Sequence, residues 1–206
     1  MKKGFEIKTT EDLVPHFRIE GPAMISCSGG RTSMMLTRLI QLAHGGELPE
    51  DIIPVFSNTG MEFDQTLDFV HDAAQHWSLP IHWVERDPSP EGSNPKWKVR
   101  SVNWEGASRK GEPFERLIRE RKYLPNVATR YCTQSLKISP MRHHMLSLGW
   151  TDYYNVLGLR YDEPHRVHRV LERNDNRKDG YEVACPLFDA RVTIRDVERF
   201  WSEQGF

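Results

Sequence analysis

Ile25-Ser26-Cys27-Ser28-Gly29-Gly30-Arg31-Thr32-Ser33-Met34 is the stretch on which the fold turns. Before it, Pro22 to Cys27 is a short, mostly apolar run bounded by Gly21 and Gly29, the pattern of a buried strand. After it, Met34, Met35, Leu36, Leu39, Ile40 and Leu42 recur at helical spacing until Gly45 and Gly46 end the pattern. A glycine pair therefore stands at a strand-to-helix junction. Residues without side chains there let the backbone turn tightly and let a ligand reach the amides. The start of the helix supplies unpaired N–H groups and the positive end of its dipole, and Ser26, Ser28, Thr32 and Ser33 add hydroxyls. The stretch reads as a phosphate-binding turn. The same residues also fit an N-capped helix after a Ser/Gly turn with nothing bound.

Working outward, Asp51 to Ser57 reads as a second buried strand, Asn58-Thr59-Gly60 as a turn, Met61 to Trp77 as an amphipathic helix, and Pro80 to Glu85 as a third strand. That alternation predicts parallel βαβ units with right-handed crossovers. Asp152 to Leu159 is a fourth strand and Glu182 to Phe188 a fifth, partly irregular one. Phe114 to Tyr123 and Pro140 to Leu148 read as helices, and Thr193 caps a last helix with Val197, Phe200 and Trp201 facing inward. The expected fold is α/β: a three-layer αβα sandwich, Rossmann-like, with a mostly parallel twisted sheet of about five strands in one domain over 1–206. Phe5 and Ile7 suggest an edge strand and Val14 to Ile19 another extended piece. Residues 86–112 interrupt the rhythm with Pro88, Pro90, Gly92, Pro95, Gly106 and Gly111, as a lid-like insertion would. Its Trp97, Trp104, Lys96, Lys98, Arg100, Arg109 and Lys110 suit stacking on a base and contact with phosphate, or simply an exposed loop.

With 38% hydrophobic and 28% charged residues, the chain has the balance of a soluble protein with large polar loops. No run approaches the roughly 18 apolar residues of a membrane helix, and MKKGFEIKTTEDL lacks the apolar core of a secretory signal, so a cytoplasmic protein with no membrane partner is expected. A net charge of −1 gives no global attraction to nucleic acid and leaves that role to the Arg-rich stretches Arg116 to Lys122 and Arg160 to Lys178. Three cysteines, an odd number, argue against a disulfide framework.

In an open parallel sheet the ligand crevice lies outside the carboxyl ends of the strands. This rule groups Ser26 to Gly30, Ser57 to Gly60 and Gly158 to Glu163. Arg160, after a strand and a glycine, is placed to reach a phosphate, or to pair with Asp162 or Glu163. Cys132 lies just before a helix between Arg130 and Lys137, an electropositive setting that would lower a thiol pKa. His143 and His144 read as solvent-facing, and His165 and His168, with Arg166 and Arg169, as lining the mouth of the site.

SGGRTS resembles the PP-loop, S-G-G-x-D-S, of the ATP pyrophosphatases and the phosphoadenosine phosphosulfate (PAPS) reductases, with Thr32 where the pyrophosphatases carry Asp. Cys132 to Pro140 resembles the reductases' Cys-x-x-x-Leu-Lys-x-x-Pro segment, Gly158-Leu159-Arg160 their Gly-x-Arg motif, and Cys185-Pro186-Leu187 with Asp196-Val197 the Pro-Leu and Asp-Val elements before the last helix. The resemblance implies an adenine nucleotide, PAPS or ATP, the latter with Mg, held by Ser26, Ser28, Gly29, Gly30, Arg31, Thr32 and Ser33. It places adenosine at Ser57, Asn58, Thr59 and Gly60, and the phosphates at Lys137, Gly158 and Arg160. It further implies an oxidoreductase or transferase of sulfur metabolism acting at the α-phosphate or phosphosulfate, with Cys132, Lys137 and Arg160 as catalytic residues and a thiol reductant as partner. The sequence ends at Gln204-Gly205-Phe206 without the family's Glu-Cys-Gly-Leu-His tail, the expectation for a divergent, phage-type member. Cys132 and Cys185 become iron–sulfur ligands only if a Cys-x-x-Cys tail completes the set. Two alternatives stay open: ATP-dependent sulfur transfer to nucleic acid, and a non-catalytic nucleotide sensor. A homodimer is also compatible.

Overall fold

Six strands and the helices between them follow the alternation that the sequence predicts, in a computed structural model that describes residues 7–126, 128–174 and 180–205. The strands are β1 (Ala23–Cys27), β2 (Ile52–Ser57), β3 (His82–Pro88), β4 (Trp97–Val102), β5 (Tyr154–Leu157) and β6 (Glu182–Ala184). The main helices are α1 (Arg31–Ala43), α2 (Asp64–Trp77), α3 (Glu112–Arg121), α4 (Ser139–Ser147), α5 (Pro164–Asn174) and α6 (Ile194–Ser202). The sheet order is β4-β3-β2-β1-β5-β6, mostly parallel, a Rossmann-like α/β arrangement. The chain divides into two compact units, Met1–Ile53 with Asp152–Phe206, and Pro54–Thr151.

In the first unit β5 pairs in parallel with β1, Ala23 opposite Tyr154 and Ser26 opposite Leu157, and β6 pairs in parallel with β5. β1 is almost wholly buried, as its apolar run requires, and α1 buries Met34, Met35, Leu36, Leu39 and Ile40 completely. α1 packs on β1 and on α6, whose inner face is Val197, Phe200 and Trp201. Thr193 caps α6 in a reciprocal box with Asp196: the Thr193 amide and hydroxyl both donate to Asp196 Oδ2 at 2.7 Å. α5, not foreseen from the sequence, follows β5. Its Val167 enters an apolar cluster with Leu159 and Cys185, and Leu157, Val170, Val183 and Phe188 pack around it. The segment from Glu182 is a three-residue strand followed by the helical turn Pro186–Asp189. Val14–His16 is a tight helical turn rather than extended, Ile7 lies outside any strand, and Phe5 lies outside the described residues. Pro15 accounts for the turn, because its fixed φ suits the first positions of a helix.

In the second unit β3 pairs in parallel with β2 and antiparallel with β4. β4 brings the expected count of about five strands to six and lies within residues 86–112, read as a lid-like insertion. Trp97 pairs with Pro88 and Val102 with Trp83, a hairpin that ties this segment to β3. No residue of β4 is fully buried, and Lys98 and Ser101 are exposed, so it lacked the apolar run that marks a buried strand. α2 starts at Asp64 rather than Met61, since the preceding turn is held by side-chain hydrogen bonds, and it ends in a left-handed Ser78.

Candidate functional site

In the first unit the phosphate-loop candidate begins where β1 ends. Gly29 takes φ 77°, a left-handed conformation that glycine adopts without strain, and Gly30 is the extended residue that starts α1. Ser33 locks the loop. Its hydroxyl donates to the Gly30 carbonyl at 2.9 Å and accepts from the Ser28 amide at 3.1 Å. With its one proton used, it also accepts from the Ser28 hydroxyl at 3.0 Å. Thr37 continues the tie by donating to the Ser33 carbonyl at 2.9 Å. Two of the four hydroxyls expected to face a ligand, those of Ser28 and Ser33, are thus engaged within the loop. The backbone is different: no side chain caps the first turn of α1, and no acidic residue lies in it. The amides of Arg31, Thr32 and Ser33 therefore form an uncapped, positive helix terminus.

Three side groups close round this turn. Gly158, just past β5, sits so near that an added Cβ would lie 3.2 Å from Ser33 Cα. Arg160 donates from its guanidinium to Thr32 Oγ1 at 3.3 Å, and also pairs with Asp162 at 2.9 Å and Glu163 at 3.3 Å. Trp201 of α6 donates its indole N–H to the Arg31 carbonyl at 3.1 Å, and the Arg31 guanidinium lies 5.9 Å from its ring centroid. Arg160 thus makes the salt bridges considered for it while standing against the loop. Ser26 is turned into the sheet, where its hydroxyl donates to Asn155 Oδ1 at 2.8 Å. Trp201 and Asn155 had no motif to reveal their roles.

In the second unit the turn after β2 is built from four expected residues and one carboxylate. The Ser57 hydroxyl donates to the Leu136 carbonyl at 2.7 Å. Thr59 gives both its amide, at 2.9 Å, and its hydroxyl, at 2.8 Å, to Glu62, which also pairs with Lys137 at 3.3 Å. Gly60, at φ 75°, has no room for a side chain: a Cβ would meet Pro113 Cδ at 2.8 Å. Asn58 is fully buried and donates to Glu85 at 2.6 Å and to the Ser108 carbonyl at 2.8 Å. Glu85 is itself buried and receives three further donors: the Ser108 amide at 2.7 Å, its hydroxyl at 2.8 Å, and Arg100 at 2.6 Å. A buried carboxylate needs such a shell. Sequence reading missed Glu85 because it lies inside an apolar strand, where only its being charged was a signal.

Cys132 lies in the short helical turn Tyr131–Thr133 and is partly exposed. Lys137 follows in Gln134–Ile138, a wider π-helical turn that leads into α4. His144 is buried, not solvent-facing: its Nε2 lies 2.8 Å from His82 Nδ1, and burial lowers both pKa values, His144 further through His82. His143 is bonded to the Ser139 carbonyl and sits 4.5 Å from the Trp97 ring. In the first unit His165 and His168 are exposed on α5. Cys185 is 4% exposed within its apolar cluster, and burial, reinforced by Asp189, pushes its thiol up to about 11. Among the described residues no three His, Cys, Asp or Glu side chains are arranged to hold a metal ion. The described residues therefore do not fit an iron–sulfur centre, and no chemistry is routed through one.

No helix among the described residues is long and apolar enough to cross a membrane. Residues 22–205 match the phosphoadenosine phosphosulfate reductase domain. The chain is 28% identical over 189 residues to ORF290, an uncharacterized nin region protein of Escherichia phage lambda, covering 89% of this chain and 60% of the relative. It is 27% identical over 174 residues to MJ0066, an uncharacterized protein of Methanocaldococcus jannaschii, covering 83% of this chain and 30% of the relative. The chain thus spans less than two thirds of either relative. A family match over nearly the whole chain, on a fold whose β1–α1 junction is an uncapped glycine turn, places it: the chain belongs to the phosphoadenosine phosphosulfate reductase domain family, within the PP-loop, adenine nucleotide alpha hydrolase-like superfamily.

Proposed function

We propose that this chain binds an adenine nucleotide through the Ser28 to Ser33 loop and acts at its α-phosphate or phosphosulfate. The observation that carries the reading is the first turn of α1, whose amides have no side-chain cap and no neighbouring carboxylate in the turn, at a glycine junction held open by Ser33. Anions favour such a terminus. Arg160, at Thr32, would neutralise the phosphate. With PAPS, a thiolate attacks sulfur, the S–O bond breaks, adenosine bisphosphate leaves, and a second thiol from a dithiol reductant releases sulfite from the sulfocysteine. Cys132 is the cysteine assigned to the attack, because Cys27 and Cys185 are buried with thiols pushed up to about 11. With ATP, attack of an acceptor oxygen on the α-phosphorus releases pyrophosphate and leaves an adenylated acceptor for sulfur transfer.

Calorimetry with ATP, PAPS and adenosine, beside assays for pyrophosphate and sulfite release, tests the reading. Nucleotide binding that weakens with Gly29→Ala, together with one of the two products, is the expected result. Binding without either product would leave a nucleotide sensor, and no binding of any adenine nucleotide would overturn the proposal.

A further inference from the structure

The sequence pattern of α5, PHRVHRVLERN, is divided sharply by its packing. Val167, 1% exposed, faces the cluster of Leu159 and Cys185, and Val170 is partly buried beside it. The outer positions are His165, Arg166, His168, Arg169, Glu172 and Arg173, all exposed, with Leu171, 39% exposed, the one apolar side chain among them. Residues 166, 169 and 173 are three and four apart, so the three arginines form one stripe along the helix, and a single glutamate, Glu172, lies on the outer face. At about 1.5 Å rise per residue the stripe is about 10 Å long. Arg173 suits the last turn of the helix and Arg166 pairs with Glu163, but Arg169 stands between these two like charges, at spacings that repel, and the stability of α5 does not explain it. Nor does the chain as a whole carry it, since the net charge is −1.

From this we infer that the outer face of α5 is a docking surface for the phosphate backbone of a nucleic acid. A strand carries one charge per about 3.4 Å of its axis, so a stripe of this length faces about three phosphates, matching three guanidinium groups. Arginine suits that partner, because its planar fork pairs two donors with two phosphate oxygens. A lipid surface is a poorer occupant: an interfacial helix must insert an apolar face, and here Val167 and Val170 are packed in the core and Leu171 alone is left outside. Arg166 is paired with Glu163 and Arg173 also has a partner in the fold; both side chains are exposed, so these surface contacts can be exchanged for phosphate. Binding through the backbone alone is blind to sequence. The inference does not depend on the nucleotide reading.

The test is fluorescence anisotropy of a labelled single-stranded 20-mer and a 20-base-pair duplex, titrated with the whole chain between 50 and 200 mM salt. Three phosphate contacts give a slope of log K against log salt of about −2 to −3, a loss of about 20- to 40-fold over that range. Arg169→Gln/Arg173→Gln, checked for folding by circular dichroism, should lower the steepness by about 1.4 to 1.8. Arg169→Lys/Arg173→Lys should restore the salt slope. No oligonucleotide binding at 50 mM salt, or the same slope in the glutamine variant, would overturn the assignment. So would arginine-dependent binding to phosphatidylserine vesicles in place of the oligonucleotides. Loss of ATP binding in the wild-type chain would bear on the nucleotide reading and not on this one.

Discussion

Gly158→Ala tests whether the geometry of the β1–α1 junction matters for binding. A Cβ at Gly158 would lie 3.2 Å from Ser33 Cα and 3.5 Å from Ser33 N. Carbon contacts settle at about 3.5 to 4.0 Å, so the end of β5 and the first turn of α1 must separate by about 0.3 to 0.8 Å. The atoms that have to give belong to the helix backbone, which Ser33 anchors to Gly30 and Thr37 anchors in turn, so no flexible side chain can absorb the change. Overpacking of this kind costs about 2 kcal/mol, which for a chain of this size lowers Tm by about 4 to 8 °C. The same displacement moves the amides of Thr32 and Ser33 away from their present positions. ATP affinity should therefore fall by about tenfold while adenosine, which lacks phosphates, is less affected. Scanning calorimetry reports the first effect and titration calorimetry with ATP and adenosine the second. A lowered Tm with unchanged ATP affinity would refute the claim that this turn cradles phosphate, and an unchanged Tm would refute the close approach itself.

Arg160→Ala removes a charge-assisted contact of about 1.5 to 3 kcal/mol, so binding should weaken more for ATP than for AMP, and equal losses would refute its assignment to phosphate. Glu85→Ala leaves Asn58 and Ser108 without their shared acceptor and the partly exposed Arg100 without its ion pair, and should cost the fold about 1 to 3 kcal/mol in urea unfolding; a loss under about 0.5 kcal/mol would show that the network is not needed. His82 and His144 are both held below the ordinary imidazole pKa, so the fold favours their neutral forms; their contribution to stability is complete above about pH 6.5 and is lost as pH falls through the lowered values. Tm of the wild type should drop more steeply from pH 7.5 to 5 than that of His82→Gln, and parallel curves would contradict the coupling. Native alkylation followed by mass spectrometry should modify Cys132 before Cys27 and Cys185, whose thiols are buried and pushed up to about 11; equal rates at Cys185 would contradict its burial.

How much of this was legible in the sequence depends on whether a residue's role is local. β1, α1, β2 and the capping of α6 by Thr193 were readable, because an apolar run, a helical period or a capping box is written in adjacent residues. β4 was not, since a half-exposed edge strand lacks an apolar face and its identity rests on pairing with β3. α5 was masked by its own charge: Val167, Val170 and Leu171 do fall at helical spacing, but over barely one turn, and the arginines and histidines around them read as a charged run. His144 was misplaced for the same reason, as nothing near it in sequence marks His82 as its partner.

The candidate site divides along the same line, and Arg160 shows why. Its position after a glycine at the end of a strand was enough to bring it to the loop, and the structure sets it at Thr32. What the sequence left open was which of two partners it takes, phosphate or the carboxylates two and three residues on. In the fold it contacts Thr32, Asp162 and Glu163 together, with its side chain 18% exposed. A threonine at position 32 accepts one hydrogen bond without charge, whereas an aspartate there would add a third carboxylate around one guanidinium and repel an incoming phosphate unless a cation balanced it. Thr32 thus lets Arg160 stand beside the loop with some of its charge available to a ligand. Thr32→Asp should accordingly weaken ATP in the absence of divalent cation and regain affinity with Mg added, measured by calorimetry. If the variant binds ATP equally with and without Mg, the local charge balance drawn from Arg160, Asp162 and Glu163 is wrong.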